Sequence, residues 1–235
     1  MITLYGGPTP NARKVAIALE EMELSWRLHL IDILSGDQLT PEFMALNPNN
    51  KAPIIVDEDA AGAPLVLSES GAILWYLAER TGRFLPGAPR ERALCHQWLM
   101  FQMSGVGPMF GQNAHFSFYA KDRHEYSIAR YASEVTRLLR VLEGRLADAP
   151  FLAGEAYTIA DMATYPYTLR QVEIRAADLP NLKRWSDAIG ARPAVRRGME
   201  VGREALRKET IEGGLSGLSD EQRSILFGER QYAPR

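Results

Sequence analysis

Two hydrophobic patterns divide this 235-residue sequence, and the change between them falls near residue 86. Up to that point, short apolar runs alternate with a helical period, which predicts strands and helices in the order βαβ and then ββα. The predicted elements are a strand over 2–5, a helix over 11–24, a strand over 26–32, two hairpin strands over 54–57 and 65–67, and a helix from 70 to about 82. Because a βαβ crossover joins parallel strands, the first two strands are expected to pair in parallel.

Beyond the turn at 84–87 the alternation stops and long helical periods take over. One apolar stripe runs from Ile128 to Leu146, and the segment 158–161 has the capping-box spacing that starts another helix. We therefore expect an α/β domain over 1–86, an all-helical domain over 87–208 and a C-terminal tail over 209–235. The tail is rich in turn residues and is expected to lie on the surface.

Composition excludes several classes of function. A formal net charge of -2 gives no electrostatic basis for binding nucleic acid or an anionic membrane, so small molecules are the expected ligands. No run approaches the ~20 apolar residues of a membrane span, and the single cysteine, Cys95, suits a reducing compartment, so the cytoplasm is the expected location. The four histidines are scattered and Cys95 has no partner motif, so no metal site is expected.

The loop between the first strand and the first helix reads Thr9-Pro10-Asn11-Ala12. Redox proteins with this order of elements carry CxxC there, at a helix N-terminus that lowers the pKa of a thiol. Without sulfur in the loop, the chain cannot cycle a dithiol of its own. The helix N-terminus can still stabilise a thiolate that a ligand supplies. Asn11 is expected to be the N-cap of this helix.

Two further places suit the binding of a small peptide. Ala52-Pro53 precedes a strand in a tight turn of the kind that holds a cis proline, and the backbone of Ala52 could pair with an extended peptide. Glu69-Ser70 lies where a loop becomes a helix, so Ser70 and nearby N–H groups could bind a carboxylate while Glu69 accepts an ammonium. Taken alone, Ser70 could be a plain helix cap and Glu69 a solvated acid.

These three motifs, in this order and spacing, resemble the glutathione transferases, and the segment 158–161 resembles the capping motif of their helical domain. The resemblance covers nearly the whole chain and implies a thioredoxin-like N-terminal domain followed by an all-α helical bundle. The segments 8–11, 48–51 and 107–113 resemble the bacterial nu class more narrowly. Ala52 stands where a bulkier aliphatic residue is expected before the proline. This difference removes none of the contacts that the resemblance implies.

The nu-class resemblance implies a disulfide-bond reductase that binds two glutathiones or glutathione disulfide and uses the glutathione thiolate. The implied catalytic residues are Thr9 and Asn11, which would face the sulfur. Gln38 and Lys51 would contact the first glutathione, and Arg130 the second. The glutathione-binding residues expected altogether are Gln38, Lys51, Ala52, Pro53, Glu69, Ser70 and Arg130. A homodimer is also implied.

Alternative interpretations stay open. Tyr5 is a rival catalytic hydroxyl, because other glutathione transferase classes use a tyrosine near the end of the first strand, although a tyrosine within a strand usually packs. Asn11 could be only a helix cap, Arg130 a solvated charge and Cys95 an inert buried thiol. The thiolate could instead attack electrophiles or peroxides, as in a conjugating transferase. The chain could also be a non-enzymatic glutathione-binding regulatory protein.

Overall fold

The computed structural model describes residues 1–204 and 218–231. The strands are β1 (Ile2–Gly6), β2 (Trp26–Leu30), β3 (Ile54–Asp57) and β4 (Leu65–Ser68). The α-helices are α1 (Pro10–Glu21), α2 (Pro41–Leu46), α3 (Ser70–Thr81), α4 (Pro89–Phe101), α5 (Gly107–Ala114), α6 (Glu125–Asp148), α7 (Ile159–Ile174), α8 (Pro180–Gly190), α9 (Pro193–Met199) and α10 (Asp220–Phe227). Two π-helical segments, Gln102–Val106 and His115–Tyr119, follow α4 and α5.

The strands form one sheet in the order β2-β1-β3-β4. β1 pairs with β2 in parallel, and β1–β3 and β3–β4 are antiparallel. The predicted βαβ–ββα order is confirmed, and every predicted strand overlaps an observed one. The fold is a thioredoxin-like α/β unit followed by an all-α bundle, as the sequence predicts.

The expectation that Asn11 is the N-cap of α1 is wrong. The helix begins at Pro10 and its N-cap is Thr9, whose Oγ1 accepts a hydrogen bond from the Ala12 N–H at 3.3 Å. Proline suits the first helical position because it has no N–H to satisfy there, which shifts the cap one residue upstream of Pro10. Asn11 therefore lies within the first turn, and its side chain is free for another role.

The segment between β2 and β3, where the sequence predicts neither strand nor helix, contains a 3₁₀ turn at Asp37–Leu39 and the helix α2. Thr40 caps the short helix α2, and its Oγ1 accepts from the Phe43 N–H at 3.3 Å. Phe43 is buried against Ile31 and Ile54. This small second cluster holds the residues before β3 in place beneath the turn at 47–53.

The helical part begins after α3, and the predicted domain boundary at 86/87 falls between α3 and α4. The capping box at Thr158 is confirmed, since the Thr158 N–H donates to Asp161 Oδ2 and the Thr158 side chain accepts from backbone N–H groups in the first turn of α7, including that of Ala160. α1 packs against α7 and α9, and a Cβ on Gly198 of α9 would lie 2.6 Å from the Ile17 backbone. Glycine at 198 thus permits close contact between the two parts.

The predicted tail over 209–235 is only partly described, because 209–217 and 232–235 lie outside the described residues. Residues 218–231 form α10 and a 3₁₀ turn at Glu229–Gln231. Within the described ranges no helix is long and apolar enough to cross a membrane.

Candidate functional site

A cleft of about 1080 Å³ opens at the N-terminal end of α1. Its other walls are the turn at 47–53 before β3 (the β3 turn), the region joining α4 to α5, and residues 218–231 (the C-terminal segment). This volume is slightly above the ~300–1,000 Å³ typical of small-molecule sites. Predicted site residues that line it are Thr9, Asn11, Lys51 and Glu69. The cleft is therefore large enough for more than one small peptide.

The N-terminal turn of α1 presents two polar side chains to the cleft. Thr9 uses its oxygen as the helix cap, which leaves its hydroxyl proton available to donate. Asn11 Oδ1 accepts a hydrogen bond from the Tyr167 hydroxyl at 3.0 Å. Because Oδ1 is engaged in this way, the Asn11 amide presents Nδ2, a donor, for a ligand. Burial raises the pKa of Tyr167 to about 12, so its hydroxyl remains a donor throughout the physiological range.

Tyr167 was missed by sequence reasoning. It lies on α7, 156 residues from Asn11, and its neighbours on that helix are buried on nearly every side. Hydrophobic periodicity therefore gives no signal that one tyrosine faces a site.

The turn at 47–53, before β3, has the backbone conformation that the sequence predicts. The Ala52-Pro53 bond is cis. Neither the N–H nor the carbonyl of Ala52 has a hydrogen-bond partner within the described residues. Asn47 Nδ2 donates to the Lys51 carbonyl at 2.8 Å and holds the turn. An extended peptide could thus pair with the Ala52 backbone, as predicted.

Glu69 and Ser70 lie at the start of α3. Glu69 has φ 66° and ψ 108°, a conformation that costs a non-glycine residue on the order of 1–3 kcal/mol. Its exposed side chain lines the cleft. Ser70 is buried, and its Oγ accepts a hydrogen bond from Lys14 Nζ at 3.3 Å. The N-terminus of α3 thus offers a carboxylate beside a buried hydroxyl and free helical amides.

Other predicted residues lie outside the lining of the cleft. Gln38 is buried and donates to the Ile33 carbonyl at 3.1 Å, and Arg130 on α6 is an exposed ion-pair partner of Glu134 at 3.6 Å. Their contacts with glutathione stay predictions. The Tyr5 ring stacks on His29 at 4.5 Å between centroids, which matches the packing role of a strand tyrosine. Cys95 is fully buried, and burial raises the pKa of its thiol.

The described C-terminal segment forms a wall of the cleft, which the sequence analysis did not predict. Leu218, Leu226 and Phe227 line the cavity. The Phe227 ring meets the His115 ring edge-on at 4.6 Å between centroids. Lys51 Nζ donates to Gln231 Oε1 at 2.9 Å, so the segment joins the helical part to the β3 turn.

This arrangement can hold a small peptide against the end of α1 and stabilise a negative charge there. The donors are the Asn11 amide, the Thr9 hydroxyl and the helix N-terminus, which together suit a thiolate. No group of three His, Cys, Asp or Glu side chains in the described part of the chain could hold a metal ion.

The fold is a thioredoxin-like domain followed by a helical bundle, and a cleft opens at the start of α1. Residues 9–80 match the family model "Glutathione S-transferase, N-terminal domain", and residues 103–193 match "Glutathione S-transferase, C-terminal domain". The chain belongs to the glutathione S-transferase family, and its fold is the glutathione transferase fold.

Curated relatives include disulfide-bond oxidoreductases of Escherichia coli K12. The chain is 48% identical to YfcG over 201 residues, covering 83% of this chain and 93% of YfcG. It is 39% identical to YghU over 218 residues, covering 86% of this chain and 75% of YghU.

Among solved structures, a glutathione transferase family member from Pseudomonas fluorescens with two glutathione bound has a TM-score of 0.81 and 44% identity, with 85% of this chain and 92% of that chain covered. A glutathione transferase from Pseudomonas putida with one glutathione disulfide bound per subunit has a TM-score of 0.80 and 42% identity. The match covers 85% of this chain and 90% of that chain.

Proposed function

We propose that the protein is a glutathione-dependent disulfide-bond reductase that uses the thiolate of glutathione and no cysteine of its own. The observation that carries this proposal is the end of α1. There, Tyr167 orients the Asn11 amide so that a donor faces the cleft in the loop where a dithiol enzyme would carry CxxC. Disulfide-bond oxidoreductases among the relatives support the proposal.

The reaction is two thiol–disulfide exchanges. The glutathione thiolate, held by Asn11 and Thr9, attacks one sulfur of the substrate disulfide and breaks the S–S bond. The product is a mixed disulfide, and the other substrate sulfur leaves as a thiolate that takes up a proton. A second glutathione thiolate attacks the glutathione sulfur of the mixed disulfide, which releases the second substrate thiol and forms glutathione disulfide. Two glutathiones are oxidised for each disulfide reduced.

Glutathione is assigned to the cleft by matching its groups to the residues around it. The Ala52 backbone before Pro53 pairs with the peptide, the Lys51 ammonium is available for its glycine carboxylate, and Gln38 stays a predicted contact. Glu69 accepts the ammonium of the γ-glutamyl group, and Ser70 with the α3 amides binds its carboxylate. The remaining volume takes the second glutathione, for which Arg130 stays the predicted contact.

We also propose a homodimer of the nu class, located in the cytoplasm, where glutathione is kept reduced. Sedimentation at the mass of one chain would contradict the dimer. Fractionation that recovers the protein outside the cytoplasm would contradict the location.

Conjugation of electrophiles is the second candidate function. The cleft wall includes apolar side chains from Leu30, Met103 and Phe227, which could hold an apolar electrophile beside the thiolate. A regulatory protein that binds glutathione without useful turnover is the third candidate.

These three functions are separated by steady-state rates. We expect the wild-type protein to reduce 2-hydroxyethyl disulfide with glutathione, in a reaction coupled to glutathione reductase, faster than it conjugates an aryl chloride. Fast conjugation with little reduction would indicate a conventional transferase. Glutathione binding with neither activity would indicate the regulatory role.

The contact between Gln231 and Lys51 predicts a competition for the same ammonium. Replacing Gln231 with alanine removes the acceptor that occupies Lys51 Nζ, and an intramolecular hydrogen bond contributes about 0.5–1.5 kcal/mol net. We expect the Kd for glutathione to fall by about two- to tenfold, since 1.4 kcal/mol is tenfold. Titration calorimetry measures this change, and Gln97→Ala, at an exposed glutamine on α4, is the control. A weaker affinity in Gln231→Ala would show that Gln231 supports the ligand.

A further inference from the structure

Lys14 is a charged residue that the proposed chemistry does not use, and it lies one helical turn after Asn11. Its side chain is 1% exposed. Nζ donates to Gln102 Oε1 at 2.8 Å, to Ser70 Oγ at 3.3 Å and to Met103 Sδ at 3.6 Å. All three acceptors are neutral. A buried ammonium without an anionic hydrogen-bond partner is costly, so its retention calls for a function.

The surroundings of Lys14 contain a single carboxylate among the described residues that influence its charge. Glu69 of the α3 N-terminus favours the charged form, while burial opposes it more strongly and lowers the pKa of Lys14 to about 7. From α7 the Tyr167 ring faces Nζ at 4.9 Å to the centroid, and the pKa of that phenol is raised to about 12. Lys14 can therefore gain or lose a proton near neutral pH while Tyr167 stays neutral.

The π-helical segment Gln102–Val106 supplies two of the three acceptors, Gln102 and Met103. This segment widens the helical turn after α4 and carries Gln102 and Met103 onto the start of α3. A Cβ on Gly71 would lie 2.9 Å from Met103 Cγ, so glycine at 71 admits this approach. The result is a buried polar cluster in which Lys14 Nζ lies 3.3 Å from Ser70 Oγ.

Two sources of positive potential thus meet at Ser70. The N-terminal amides of the twelve-residue helix α3 attract an anion, and the Lys14 ammonium, 3.3 Å from Ser70 Oγ, attracts it as well. Glu69 next to them offers the complementary charge for an ammonium. The pair of subsites is therefore suited to the charged head of an α-amino acid, with the carboxylate at Ser70.

We infer that Lys14 is a positioning residue for the γ-glutamyl carboxylate of glutathione, acting through Ser70, and that binding is coupled to proton uptake by Lys14. This inference rests on the proposed function. The arriving carboxylate supplies the negative charge that the buried ammonium lacks. It therefore stabilises the protonated form of Lys14 in the complex.

The coupling predicts that affinity falls as pH rises. Below neutral pH, Lys14 is already protonated, so binding of the carboxylate requires no free energy for protonating it. Above it, Lys14 is neutral in the free protein and must be protonated on binding, so the Kd increases by up to tenfold per pH unit. Glutathione itself is a poor probe, because formation of its thiolate releases a proton and opposes the trend. S-methylglutathione lacks that thiol.

The test is titration calorimetry of S-methylglutathione with wild type and Lys14→Met at pH 6, 7 and 8, in two buffers with different ionisation enthalpies. The ligand ammonium and other protein groups also titrate, but they do so in both wild type and Lys14→Met. The ratio of the two Kd values therefore reports on Lys14. We expect Lys14→Met to bind more weakly than wild type at pH 6, and the ratio of the two Kd values to fall about tenfold by pH 8. Wild type should take up a fraction of a proton near pH 7.5 and Lys14→Met none.

Controls separate this inference from the proposed function. Lys51→Met should weaken binding at every pH while keeping the wild-type slope, because it leaves Lys14 in place. No binding of S-methylglutathione to wild type would contradict the proposed function itself. Binding with equal pH dependence in wild type and Lys14→Met would overturn the inference alone. If Lys14→Met does not fold, the absence of proton uptake by wild type overturns it equally.

Discussion

Replacing Asn11 with alanine is expected to lower kcat/KM for disulfide reduction about 100-fold at pH 7, the usual effect of removing one donor to a developing or fixed negative charge. Asn11 offers Nδ2 to the sulfur because its Oδ1 is held by Tyr167. Without that donor the pKa of the bound glutathione thiol rises. The rate deficit should therefore shrink as the pH rises and the thiolate forms unaided. The coupled assay between pH 6 and 9 measures both effects.

Two further variants make the Asn11 prediction specific. Tyr167→Phe removes the hydroxyl that orients the amide but leaves the amide itself, so we expect a smaller loss of about tenfold. Asn113→Ala, at a helical asparagine that does not line the cleft, should behave as wild type. Calorimetry should find that Asn11→Ala still binds S-methylglutathione. A rate within threefold of wild type for Asn11→Ala would mean that another group holds the thiolate.

Replacing Asp161 with alanine is expected to have the largest effect on stability. Asp161 is fully buried and accepts hydrogen bonds from the Leu152 N–H at 2.9 Å, the Thr158 N–H at 2.9 Å and Trp185 Nε1 at 2.8 Å. Alanine would leave these donors unsatisfied at about 1–3 kcal/mol each before relaxation. A net loss of about 4 kcal/mol corresponds to a fall in Tm of roughly 10 °C for a chain of this size.

Differential scanning calorimetry checks the Asp161 prediction. Asp178→Ala removes an exposed aspartate in the same region, and its Tm should stay within about 1 °C of wild type because surface substitutions usually change stability by less than 0.5 kcal/mol. An equal, small change in both variants would contradict the role given to the buried carboxylate. The activity of the folded Asp161→Ala protein at low temperature should be retained, since Asp161 does not line the cleft.

The sequence predicted the sheet well because its strands are short apolar runs between clear turn signals. It also predicted Thr9, Asn11, Lys51 and Glu69, which line one cleft. Each of these four residues belongs to a short local motif, and each motif lies at the end of a predicted strand or helix. Local patterns therefore locate the parts of the site that element ends supply.

The remaining features depend on packing between distant segments. Lys14 has the sequence context of an ordinary solvated lysine, and its burial arises only when α3, α7 and the π-helical segment close around it. Periodicity cannot reveal a π-helical insertion, because one extra residue per turn changes the helical register only locally. The helix α10 has its own capping box at Ser219, but nothing in the sequence indicates that its Phe227 contacts His115 or that Gln231, in the turn that follows, contacts Lys51.

The central claim is that the reducing thiolate belongs to glutathione, and the Cys95→Ala variant tests it most directly. The coupled reduction of 2-hydroxyethyl disulfide is measured for wild type and for this variant, which has no sulfhydryl group of its own. We predict saturable activity in both proteins, with kcat/KM for the variant within about twofold of wild type, because Cys95 is buried away from the cleft. Activity in wild type that is lost in a folded Cys95→Ala protein would contradict the claim, as would a wild-type protein that reduces no disulfide.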